Sequence, residues 1–108
     1  SRLHLNGKCI SSVITEEEMK QYDVLPKHLD GIVNQLRVTK DVEVAVFLYE
    51  TGDGTFKVST RSREVVDVSK VAVKYGGGGH IRAAGFSMTG DAVAIIEQIV
   101  SDLAEQIK

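Results

Sequence analysis

One cysteine and one proline in 108 residues exclude several fold classes before any motif is considered. Cys9 has no partner for an internal disulfide, so the chain is not a small crosslinked secreted domain, and a reducing cytoplasm is the expected setting. Cys9 reads instead as a small packing residue. No apolar run approaches the ~20 residues that a bilayer-spanning helix requires. A basic excess is missing too: 13 Lys and Arg stand against 15 Asp and Glu, for a net charge of −2. Broad electrostatic capture of duplex DNA or RNA needs many cations on phosphates, so any phosphate recognition here has to be local. There is no internal repeat, low-complexity tract or polar linker, and the elements therefore belong to one core. The opening Ser1-Arg2-Leu3-His4 is neither a signal peptide nor an initiator methionine, which suggests a piece of a longer chain.

What is present is the balance of an ordinary soluble domain, with 43% apolar and 26% charged residues. A chain of this length buries about two-thirds of its unfolded surface without help from metals or crosslinks. Lys8 to Ile14 read as an opening strand. Thr15 then caps a short helix, Glu18 completes a capping box, and Ile14 can staple against Met19. The helix should stop near Tyr22, because Pro26 disfavours helical geometry before it. Leu29, Ile32, Val33 and Leu36 recur at helical spacing, with Gly31 placed where another backbone could come close. Val42 to Tyr49 is apolar on both faces, as in a central strand. Thr51-Gly52-Asp53-Gly54 makes a hairpin turn. On the returning strand Phe56, Val58 and Thr60 face one way, and Lys57, Ser59 and Arg61 form a polar face on the other. Asp67 caps a helix with the stripe Val68, Val71, Ala72 and Tyr75, and Gly76 sits at its left-handed C-cap position. Ala83 to Ser87 is a further strand. Asp91 to Ile107 is an amphipathic helix with Ala92, Ile96, Ile99, Leu103 and Ile107 on one stripe. This order predicts an α/β or α+β domain, a small mixed sheet flanked by helices.

The chemistry is concentrated in Gly76, Gly77, Gly78, Gly79 and His80. Capping a helix needs one glycine, whereas a run of them removes every Cβ and lets backbone N–H groups line an anion-binding concavity. A flexible loop is the competing reading. It is weakened by the lack of Ser or Pro in the run and by its place between a capped helix and an apolar strand. No Lys-Ser or Lys-Thr follows the glycines and no window fits G-x-G-x-x-G, so the P-loop and Rossmann patterns both fail. A lone histidine is weak evidence. Directly after the glycines, however, the His80 imidazole can reach the anion that the amides hold. Arg61 and Arg63 flank Ser62 at the end of the polar-faced strand. An arginine there is usually a solvated charge, but guanidinium also grips phosphate in bidentate fashion. If the sheet sets that strand end beside the glycines, Arg61, Ser62 and His80 converge on one phosphate-sized site.

The segment Gly76-Gly-Gly-Gly-His80-Ile-Arg-Ala-Ala84-Gly85 resembles the signature of the DHHA1 domain, the C-terminal half of DHH-family phosphoesterases. Lys57-Val-Ser-Thr-Arg61-Ser62 is similar to that family's strand ending in Arg-Ser. Asp67-Val-Ser-Lys70 and Gly31-Ile-Val-Asn34 match its order and spacing, so the resemblance covers nearly the whole chain. Within the family the branch most similar is that of the oligoribonuclease and 3′-phosphoadenosine-5′-phosphate phosphatases. The resemblance implies a single DHHA1-like substrate-binding domain over residues 1–108, with Gly76 to Gly79 and His80 contacting phosphate or nucleotide and Arg61 with Ser62 holding a far phosphate. Ala83, Ala84 and Gly85 would keep the loop close to the sheet, and Arg82 takes no assigned role. Manganese and the catalytic residues would belong to an N-terminal DHH domain in cis. The Asp-His-His motif is missing from this chain, and His4, His28 and His80 show no metal-ligand spacing. The implied parent is a hydrolase, and this chain alone is expected to be inactive. Its implied partners are short single-stranded RNA or DNA, or a phosphorylated nucleotide. A homodimer is one option for the parent.

Four other readings stay open. A cyclic-dinucleotide phosphodiesterase or a single-strand exonuclease carries a similar domain, although the acidic balance disfavours the latter's basic track. The end of alanyl-tRNA synthetases is related but lacks this His-x-x-Ala-Ala-Gly arrangement. From a different class, a non-catalytic interaction module would use the glycines only as a turn.

Overall fold

The computed structural model describes residues 2–21, 31, 35, 41–52 and 54–107. Its elements run β1 (Arg2–His4), β2 (Cys9–Ile14), α1 (Glu16–Gln21), β3 (Val44–Gly52), β4 (Thr55–Ser62), α2 (Val68–Lys74), β5 (Gly78–His80), β6 (Ala83–Thr89) and α3 (Ala92–Ala104). The strands form one six-stranded sheet in the order β1-β2-β3-β4-β6-β5. Only the β2–β3 pairing is parallel, so the sheet is mixed and the predicted α/β class is observed.

Local chemistry explains the elements that the sequence anticipated. Thr15 and Glu18 form the capping box of α1: the Thr15 hydroxyl accepts from the Glu18 N–H, and the Glu18 carboxylate accepts from the Thr15 N–H, both at 3.1 Å. Ile14 and Met19 pack against the same apolar cluster. The β3–β4 hairpin closes through Gly52 and Gly54, both at positive φ. Asp67 caps α2 by accepting from the Ser69 N–H at 2.9 Å. At the other end of α2, Gly77 N–H reaches Ala72 O at 2.8 Å and Gly76 N–H reaches Val73 O at 3.1 Å, with Gly76 at φ 84°. That bond pair is a Schellman motif, which absorbs carbonyls the helix end would otherwise leave bare.

Alternation along β3 and β4 divides the core. Val44, Val46, Leu48, Phe56 and Val58 pack with Val68, Val71 and Ala72 of α2 and with Ile95, Ile96, Ile99 and Leu103 of α3. Ala45 and Phe47 point to the opposite face and join Ile10 and Val42. Cys9 is fully buried in the first cluster, as its packing role requires. Gln106 turns back after α3 and bonds both the N–H and the C=O of Asp67, at 2.9 and 3.0 Å. That turn ends the helix at Ala104, and Ile107 reaches the core from outside it.

Two strands were not anticipated. β1 pairs with β2 through a turn in which Leu5 and Asn6 adopt φ 53° and 57°. Leucine rarely enters that region, and the cue in this turn is Asn6-Gly7, with Gly7 at φ 85°. β5 was read as a loop, and its correction is taken up below. The expected second helix has Gly31 and Gln35 in helical conformation; its predicted stripe of Leu29, Ile32, Val33 and Leu36 lies outside the described residues, as do Pro26 and His28. No helix among the described residues is long and apolar enough to cross a membrane.

Candidate functional site on the open sheet face

The second half of the glycine run, with His80, forms the edge strand β5. Gly78 pairs with Gly85, Gly79 with Ala84 and His80 with Ala83 along β6. Successive N–H groups of a strand point in opposite directions, so the run does not build the concavity of convergent amides expected from a loop. Three of its glycines have explanations within the chain. Gly76 supplies the positive φ of the α2 cap. A Cβ on Gly77 would stand 2.2 Å from Gly85 O and 2.6 Å from Phe86 Cβ, and one on Gly79 would stand 2.6 Å from Ala83 O. These two let β5 lie directly against β6. Gly78 differs, because nothing lies within 4 Å of where its Cβ would be.

Register then assembles a surface. β4 pairs with β6 so that Arg61 opposes Ala83, and Ala83 in turn opposes His80. Directly paired residues share a sheet face, so Arg61 and His80 project from the same side with the Ala83 methyl between them, their Cα atoms about 10 Å apart. The adjacent row on this face is Ser59, Gly85 and Gly78. Two facing glycines leave a notch of bare backbone beside the arginine–histidine row, the arrangement that lets a ligand approach main chain closely. Gly78 and His80 are exposed, and Arg61 is half-buried. The opposite face at these positions carries Phe56, Val58, Thr60, Ala84 and Phe86, all buried under the helices. The polar face predicted for β4 is therefore the one turned away from α2 and α3.

Of the residues assigned from the sequence, Arg61, Gly78 and His80 come together on this face, while Gly76, Gly77 and Gly79 serve the backbone path. Ser62 faces inward and is 1% exposed. Its hydroxyl donates to Val66 O at 2.6 Å, which holds the chain after β4 rather than presenting an oxygen to solvent. Arg61 itself donates to Thr60 O at 2.9 Å.

Sequence reasoning left Arg82 without a role, and the structure gives it one. Its guanidinium donates to Val66 O and Glu64 O, and its own carbonyl accepts from the Ser62 N–H at 3.0 Å. Ile81 O accepts from the Val68 N–H at 2.9 Å. The β5–β6 turn is thus tied to the loop after β4, which fixes His80 relative to Arg61. The same loop is gripped from its other side by Glu43, whose carboxylate accepts from the N–H groups of Arg63, Glu64, Val65 and Val66. Burial alone would raise the Glu43 carboxyl, but the four amides together outweigh it and hold it below the usual range. Neither role has a local signal, since each partner lies at least 16 residues away. Among the described residues no three His, Cys, Asp or Glu side chains cluster as a metal site would.

Comparison with known proteins shows the family. The chain is 31% identical over 105 residues to the bifunctional oligoribonuclease and PAP phosphatase NrnA of Thermus thermophilus, a match covering 96% of this chain and 31% of that protein. The protein of the same name from Mycoplasma pneumoniae is 36% identical over 75 residues, covering 69% of this chain and 22% of its own length. The chain thus spans less than a third of these curated relatives. Among solved structures, an exopolyphosphatase-related protein from Bacteroides fragilis superposes with a TM-score of 0.74 at 29% identity, over 85% of this chain and 28% of that one. The family model described as the DHHA1 domain matches residues 6–108, and the chain belongs to that family.

Proposed function

We propose that this chain is the substrate-gripping domain of a DHH-family phosphoesterase acting on short RNA or on 3′-phosphoadenosine-5′-phosphate. The observation that carries the reading is the row Arg61–Ala83–His80 beside the bare Gly78–Gly85 pair. Arg61 offers a planar guanidinium for phosphate oxygens, and His80 donates a hydrogen bond or, when protonated, an ion pair to the same group. The glycine notch admits the ligand's sugar or phosphate to the main chain. Ser62 and Arg82 keep the two strand ends in register, and Gly76, Gly77 and Gly79 set the path of β5. Short RNA and the 3′,5′-bisphosphate are favoured because both activities are named in the Thermus and Mycoplasma relatives. The acidic balance agrees, since a face with few cations suits a ligand with few phosphates.

In this reading catalysis belongs to a DHH domain in cis, where manganese would activate water for phosphoester hydrolysis. This chain contributes binding and orientation and is inactive alone. The setting is cytoplasmic, in keeping with a free buried thiol.

An NMR titration with a 5′-phosphorylated RNA dinucleotide and with 3′-phosphoadenosine-5′-phosphate tests the proposal. Shifts centred on Gly78–His80, Arg61 and Ser59, lost in Arg61→Ala and His80→Ala, are expected. If millimolar ligand leaves these residues unmoved, the face is not a phosphate site and an interaction module becomes the better account.

A further inference from the structure

The face continues past the arginine–histidine row. One strand repeat further along β4, Ser59 and the glycine pair form the notch; one more repeat reaches Lys57, which opposes Tyr49 on β3 and Ser87 on β6. The register from Lys57 to Arg61 is unbroken, so Lys57, Ser59 and Arg61 all project from the same side. Lys57 and Ser87 are exposed. Tyr49 is half-buried, its body resting on the cluster of Ile10, Val42, Ala45 and Phe47. No hydrogen bond or ion pair to another described residue occupies the Lys57 ammonium.

We infer that Tyr49, Lys57 and Ser87 form a second phosphate-and-base subsite on this face, beyond the arginine–histidine row. The inference rests on the reading above. Lys57 and Arg61 are about 14 Å apart along the strand, so a nucleotide held at Arg61 and His80 occupies only one end of the face. The floor between the two cations is Ala83, Gly85 and Ser87 of β6, all small, which leaves room for a chain to pass over it. Lys57 then meets the next phosphate as a mobile point charge. The exposed part of the Tyr49 ring offers apolar surface to a base, the pairing of cation and aromatic that single-strand binders use. The second cation and the aromatic lie on the same face as the first site and in line with it, and this carries the inference.

The test compares binding of adenosine 5′-monophosphate, pApA and pApApA to the wild-type chain, Lys57→Ala, Lys57→Arg and His80→Ala, with circular dichroism confirming the fold of each. Wild type should bind the longer ligands more tightly. Lys57→Ala should weaken pApApA about fivefold or more while leaving the monophosphate unchanged, and Lys57→Arg should restore most of the loss. The salt slope for pApApA should also fall by about 0.7 in Lys57→Ala, the signature of one single-strand phosphate contact removed. Unchanged pApApA binding in Lys57→Ala, or equal weakening of all three ligands, overturns the subsite alone, provided His80→Ala still abolishes binding. Wild type that binds none of the ligands overturns the phosphate-gripping reading and the subsite with it.

Discussion

Glu43 and Arg82 hold opposite polar edges of one loop: the Glu43 carboxylate takes the N–H groups of Arg63, Glu64, Val65 and Val66, while the Arg82 guanidinium donates to the carbonyls of Glu64 and Val66. The loop runs from the strand end that carries Arg61, and Arg82 sits two residues after His80. The geometry of the candidate site is therefore fixed from outside it, by a carboxylate just before β3 and a guanidinium in the β5–β6 turn.

Replacing Glu43 with Gln should destabilise the chain by about 1–2 kcal/mol at neutral pH, the scale of losing charge-assisted bonds at a partly exposed site. The pH dependence has a definite sign. The folded carboxyl titrates below its unfolded value, so its contribution is present above the unfolded value and is lost as pH falls through the folded one. Urea unfolding should show a clear gap between wild type and Glu43→Gln at about pH 7 that narrows once the pH falls below the usual carboxylate range. A gap that persists in acid would mean that packing, not the charge, is what Glu43 supplies.

Arg82→Ala should cost about 1–3 kcal/mol and speed amide exchange at Ile81 and Arg82, because it frees the β5–β6 turn from two carbonyls. Arg82→Lys should recover little. A single ammonium cannot reproduce a planar fork that reaches Glu64 O and Val66 O together. Hydrogen exchange measured on both variants decides the point, and full protection in Arg82→Lys would reduce the role to charge.

The glycines separate folding from binding. Gly77→Ala and Gly79→Ala push a methyl into β6 and should each destabilise by about 1–3 kcal/mol or more. Gly78→Ala meets open space; it should change the melting temperature little and weaken phosphate ligands by crowding the notch. Thermal melts paired with ligand titration read both effects. A Gly78→Ala variant that melts early yet binds normally would place this glycine with the other three.

Burial pushes the Cys9 thiol up to about 12. A thiol reagent at about pH 8 should leave the folded chain unmodified and react fully in denaturant, since an unshifted thiol is partly ionised there. Fast labelling of the folded chain would show that β2 opens readily from the sheet.

How much was legible follows from how far each signal travels along the chain. The capping box of Thr15 and Glu18, the Asp67 cap, the Gly52–Gly54 hairpin and the alternation of β4 are each written within a few residues, and each was read correctly. The Gly76–His80 signature was also legible, and with it the family. Its conformation was misread, because a glycine run has no side chains whose alternation could announce a strand. β1 was missed although Asn6-Gly7, both at positive φ, is a hairpin cue; the strand before it has only three residues, Arg2–His4, too few to show an alternation.

The sequence by itself determined the chain's helix caps, its polar strand face and its likeness to DHHA1 domains, since these depend on neighbouring residues or on a contiguous motif. Only the tertiary structure decided that Arg61 and His80 share one face across Ala83, that Ser62 faces inward, and that Glu43 and Arg82 brace the same loop. Those facts are set by the register of β3, β4, β5 and β6. That register comes from pairing strands separated by a helix and a loop, where burial of one whole face fixes every side chain on the other.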